Sequence, residues 1–150
     1  MTKTDTPLSK RPEFLREINS LINQPWAPEH QHCWSITKRV VTLLGYDLPP
    51  IIDVAPMGRK QAREIRIGLF RDHPERANWC FLEGSPDLWA VALMHHVNRP
   101  PTEIEHAGVF LNLDGGRILH SDVAHGVVFD TLIELTAIRR WQPIYLVPKA

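Results

Sequence analysis

His30-Gln31-His32-Cys33-Trp34-Ser35-Ile36-Thr37-Lys38-Arg39-Val40-Val41-Thr42-Leu43-Leu44-Gly45 reads as a short polar loop running into a helix. Ile36, Val40 and Leu44 recur at helical spacing, and Val41 and Leu43 widen the apolar stripe. Gly45 suits the residue just past a helix end, where a positive φ is common. Cys33 falls in the first turn, on the side of Ile36, Thr37, Val40 and Leu44. A thiol there lies at the positive end of the helix dipole. The dipole and a nearby imidazolium both favour the thiolate, which is the nucleophilic form. The rest of the chain then matters for whether it carries a histidine to that sulfur.

The 150 residues suffice for one domain with a real core, and 1–150 reads as a single domain. Lys plus Arg and Asp plus Glu are 17 each, a balance that gives no basic surplus for nucleic acid and no acidic tail. Eight histidines are many for this length, and six of them flank three places: 30/32, 95/96 and 120/125. The two cysteines, Cys33 and Cys80, form neither a disulfide framework nor a C-x-x-C metal knuckle. No cofactor and no metal are expected. Met1 to Lys10 is polar and lacks the apolar stretch of a secretory signal, and no apolar run approaches the ~20 residues of a membrane helix. The expectation is cytoplasmic synthesis without a signal peptide and no membrane partner. Action outside the cell would require lysis, a dedicated export machine or incorporation into a particle.

Residues 1–11 read as a polar, mobile lead-in. Pro12 to Asn23 reads as a helix with Phe14, Leu15, Ile18, Leu21 and Ile22 on one face. Pro25-Trp26-Ala27-Pro28 stops it, and the loop to His32 delivers the Cys33 helix. Residues 51–84 read as an insertion of unassigned role. Within it, Lys60 to Phe70 is a basic surface helix, and Asn78 to Glu83 a strand or edge segment. Four strands follow: Asp87–Met94, Glu105–Asn112, Arg117–His120 and Gly126–Asp130. Asp114-Gly115-Gly116 marks a hairpin between the second and third. Thr131 to Ile138 reads as a short helix and Pro143 to Val147 as a closing strand. Helices first and an antiparallel meander after them make an α+β layout.

His106 opens one arm of that hairpin and His120 ends the other. Counted from the turn they match loosely, so a bulge or offset register is needed to make them neighbours. With Cys33 packed against the same sheet, the set becomes thiol, base and orienting group, the arrangement of nucleophilic catalysis. The Cys33 amide would help bind the oxyanion.

His32-Cys33-Trp34-Ser35-Ile36, then His106-Ala107-Gly108-Val109-Phe110-Leu111, Arg117-Ile118-Leu119-His120-Ser121 and Gly126-Val127-Val128-Phe129-Asp130, resembles the NlpC/P60 family of papain-like cysteine peptidases, in the style of its phage-tail-associated members. The resemblance implies a papain-like core, a Cys-bearing helix packed on an antiparallel sheet. It implies hydrolysis of amide bonds in peptidoglycan peptides through a thioester acyl-enzyme. Carried over by position, Cys33 is the nucleophile, His106 the base and His120 the orienting residue, with His125 as the rival third member. The implied partners are a cell-wall peptide substrate and phage-tail-like proteins.

Three positions depart from the family pattern: His32 where Asp is usual, Ser35 in the following segment, and Trp26 near the place of an upstream Tyr. They motivate a second reading, a catalytically altered or inactive structural or adaptor module on the same fold. Acyl transfer to an acceptor other than water uses the same sulfur and is a third. Plainer readings stand beside these. A lone Cys on an amphipathic helix is commonly a small buried hydrophobe. Cys80 reads as core. His30, His32, His95 and His96 read as surface or loop residues, since their spacing with the cysteines fits no familiar zinc pattern. The basic run 59–71 reads as a solvated helix face.

Overall fold

The computed structural model describes residues 6–27, 32–49, 64 and 74–149. Three α-helices are delimited among the described residues, α1 (Pro12–Leu21), α2 (Cys33–Leu43) and α3 (Leu132–Ala137). Six strands accompany them: β1 (Trp79–Leu82), β2 (Trp89–His96), β3 (Ile104–Leu111), β4 (Arg117–Asp122), β5 (Gly126–Thr131) and β6 (Trp141–Pro148). All pair antiparallel in one sheet of order β1-β6-β2-β3-β4-β5. The α+β expectation holds at this level.

Alternation along the strands sorts side chains to two faces. Val91, Leu93, Ala107, Val109, Leu111 and Leu119 join Phe14, Ile18 and Leu21 of α1 and Ile36, Val40 and Val41 of α2 in the larger core. Ala92, Met94, Phe110 and Ile118 face the other way and close over Leu135 of α3. Pro12 opens α1 at its first position, where a missing N–H costs nothing. Thr131 caps α3 in a reciprocal capping box: its hydroxyl accepts from the Glu134 amide, and the Glu134 carboxylate accepts from the Thr131 amide.

The β3–β4 turn is tight. Asp114 and Gly115 both have positive φ, 49° and 84°, and the Gly116 amide donates to the Leu113 carbonyl at 2.9 Å, as a primed hairpin turn requires. Beyond α2 the exit is tied back by Trp34 Nε1, which donates to the Pro49 carbonyl at 2.7 Å, and by Lys38, paired with Asp47 at 3.0 Å.

Several expectations are corrected. Leu8–Lys10 is an ordered 3₁₀ turn, not a mobile lead-in: Ser9 is buried and the Lys10 ammonium donates to the Asn112 carbonyl. The strand or edge segment expected at Asn78 to Glu83 is edge strand β1, with Trp79 in the larger core. Cys80 is exposed, not core. It alternates with the buried Trp79 on a two-sided apolar strand whose pattern does not announce which face turns inward. The proposed helix 60–70 lies outside the described residues except Glu64, which is helical.

Candidate active site

Cys33 is the first residue of α2, a helix that packs across β3 and β4. The sulfur is half-buried and lies against the larger core. One turn on, the buried Thr37 hydroxyl donates to the Cys33 carbonyl at 2.7 Å. His32 is the N-cap, and its Nδ1 accepts from the Ser35 amide at 3.2 Å. An aspartate at that position would cap in the same way, so the imidazole serves as the capping group of α2. Because Nδ1 accepts, the ring proton of neutral His32 sits on Nε2.

The two downstream histidines meet. His106 Nε2 lies 2.8 Å from His120 Nδ1. The meeting follows from register. Val109 pairs with Leu119, which sets His120 opposite Gly108 and makes His106 its diagonal neighbour. The expected offset is this diagonal. Gly108 supplies the room, since a Cβ there would stand 2.9 Å from His120 Cβ and 2.6 Å from the Leu119 carbonyl oxygen. A bulge is present as well, but against β2. Met94 pairs with His106 and His95 with Ile104, leaving Glu105 as an extra residue at the start of β3. The His106 ring stacks on Trp141, centroids 4.8 Å apart and planes 19° apart.

Asp130 continues the chain of contacts, and the sequence reading did not find it. His120 is fully buried and its Nε2 is 2.8 Å from Asp130 Oδ2. β4 and β5 pair His120 with Val128, so Asp130 is again a diagonal neighbour on the same face. Arg139, just past α3, donates from Nε to Asp130 Oδ2 at 3.0 Å and from Nη2 to Oδ1 at 3.4 Å. Burial pushes the Asp130 carboxyl up. The hydrogen bonds and charges of His120 and Arg139 outweigh it and hold the group below its usual value.

The structure therefore joins His106 to His120 and extends the pair to Asp130 and Arg139. Cys33 belongs to the core between α2 and the sheet, whereas the two rings carry the strand parity of the face toward α3. The Glu105 bulge breaks that alternation at the start of β3, beside His106. His125 is exposed on the β4–β5 turn, with Nε2 3.9 Å from Asp122, and takes no part in the relay. His95 is buried, contrary to expectation: its Nδ1 lies 3.0 Å from the His96 carbonyl oxygen and 2.9 Å from that of Arg99, which fastens the β2–β3 turn. His96 is a strand residue at the end of β2, ring-to-edge against Trp141. His30 lies outside the described residues.

A groove of about 490 Å³ between β1, β6 and α3 is lined by residues such as Phe81, Leu132 and Tyr145, and by none of the relay groups. Among the described residues no cluster of three His, Cys, Asp or Glu is placed to hold a metal ion, and no helix is long and apolar enough to cross a membrane. No family model, curated protein or solved structure matches the chain.

Proposed function

We propose that the chain is a cysteine hydrolase of the NlpC/P60 type, cleaving an amide bond in a cell-wall peptide. Cys33 is the nucleophile, His106 the base and His120 the residue that orients it. The observation that carries the reading is the buried imidazole pair, 2.8 Å apart, which has one ring committed through its Nε2. Structural histidines usually end on a carbonyl, as His95 does. A ring that ends on a second ring, which ends on a carboxylate, has the form of a proton-transfer relay. The peptidoglycan substrate rests on the motif resemblance.

In this reading His106 Nδ1 takes the Cys33 proton as the sulfur attacks the amide carbon. The new C–S bond makes a tetrahedral oxyanion, which the amides at the amino end of α2 stabilise. Collapse breaks the C–N bond, and the leaving amine takes the proton from His106. A water molecule, deprotonated by the same ring, then cleaves the thioester and restores the thiol. Trp141, flat against His106, favours the imidazolium that exists between these steps.

The test is release of soluble fragments from purified peptidoglycan, followed by mass spectrometry. Wild-type protein is expected to cleave, with Cys33→Ala and His106→Ala losing about 10²-fold or more. Undiminished cleavage by Cys33→Ala overturns the reading.

A second reading has its own observation, the assignment of the sulfur and the rings to different faces of the sheet. It makes the chain a structural or adaptor module of a phage-tail-like particle that kept the relay and lost turnover. Wild-type protein that leaves peptidoglycan and its free stem peptides intact favours that module.

A further inference from the structure

We propose that Asp130, clamped by Arg139, is a positioning residue that fixes the tautomer of both imidazoles and so places the basic lone pair on His106 Nδ1. An ionised carboxylate only accepts hydrogen bonds, so His120 Nε2 must donate to Asp130 Oδ2. A neutral His120 that carries its proton on Nε2 has an acceptor at Nδ1. His106 Nε2, 2.8 Å away, must then donate to it. A neutral His106 with its proton on Nε2 holds its lone pair on Nδ1, the atom required to deprotonate a nucleophile. With both rings neutral, each step follows from the one before, and the first is set by the charge on Asp130.

Arg139 secures that charge. Its guanidinium meets both carboxylate oxygens and shares Oδ2 with His120. Asp130 in turn opposes the ionisation of Glu134 of α3, which lies 3.9 Å from Arg117. His120 and Arg139 reach the carboxylate from two elements, β4 and the segment after α3.

The tautomer claim is independent of turnover, and the catalytic consequence rests on the hydrolase reading. The test is a long-range ¹H–¹⁵N correlation spectrum of the full chain carrying ¹⁵N-histidine, at neutral pH. Wild-type protein is expected to show both His106 and His120 protonated on Nε2. Predominant Nδ1–H on either ring overturns the proposal, and this needs no variant. In Asp130→Ala both rings are expected to lose the fixed pattern together, and an unchanged pattern overturns it. In Arg139→Gln the pattern is expected to persist at neutral pH but to collapse at a higher pH than in wild type on acidification. Collapse at the same pH removes Arg139 from the account. If wild type cleaves peptidoglycan, Asp130→Ala is expected to lower kcat about 10²-fold with KM little changed. If wild type does not cleave, the hydrolase reading fails while the spectra still decide the tautomers.

Discussion

Gly108 and Asp130 carry the two residue-scale consequences. A methyl group at 108 would be driven to 2.6 Å from a backbone oxygen and 2.9 Å from His120 Cβ, with neither neighbour a flexible chain end. Gly108→Ala is expected to cost about 1–3 kcal/mol in a denaturant melt and to separate the imidazole pair. Asp130 has its carboxyl lowered in the folded state, so its contribution to stability is complete above the ordinary carboxylate value of about 4. As pH falls below that and passes through the lowered native value, the unfolded chain takes up the proton first and the contribution is lost. Thermal melts from pH 6 downward should show this fall, and Asp130→Ala should flatten it. His106 and His120 were legible because a histidine two before a glycine on a strand, followed by a tight turn, is a local pattern. Asp130 was not, since its role depends on which residue of β5 lies opposite His120, a register set by the short β4–β5 turn, which carries no Asn-Gly or Asp-Gly signal. His95 looked like a loop residue for the same reason. The carbonyls that hold it belong to a turn whose path is set by tertiary packing.

Elements were easier to read than partners. α1 and α2 announce themselves through apolar stripes at helical spacing: of the residues on those stripes Phe14, Ile18, Leu21, Ile36 and Val40 are buried, Leu15 and Ile22 are half-buried, and Leu43 is exposed. Val40 is fully enclosed between α2 and the sheet, so Val40→Ala should cost about 2–4 kcal/mol, read from a denaturant midpoint with unchanged m. The short helix α3 depends on its start. Removing the Thr131 hydroxyl frees the Glu134 amide, and Thr131→Ala should cost about 1 kcal/mol. Arg139 sits one turn beyond that helix, so the same substitution should loosen the clamp on Asp130. Chain alternation failed only where both faces are apolar, as in Trp79-Cys80-Phe81-Leu82. There Trp79 is buried, while Cys80 and Phe81, on opposite faces of this edge strand, are both left at the surface.

At the scale of the molecule, the last strand is inserted between β1 and β2, a pairing that joins residues 45 to 69 apart and leaves no local trace. The sequence pattern therefore indicated an antiparallel sheet but not its order, and the order is what brings Trp141 of β6 onto His106. The same assembly stations Cys33 on the helix layer and the imidazole relay on the opposite strand parity, so the hydrolase account depends on sulfur and ring meeting near the Glu105 bulge. The most direct measurement compares the alkylation rates of the two cysteines by iodoacetamide at pH 7, quantified by peptide mass spectrometry in one tube. Cys80 is exposed and serves as the internal standard, while Cys33 is half-buried. The account predicts that Cys33 reacts faster than Cys80 and that His106→Ala abolishes the advantage. A Cys33 that reacts more slowly than Cys80, at a rate indifferent to His106, would contradict it.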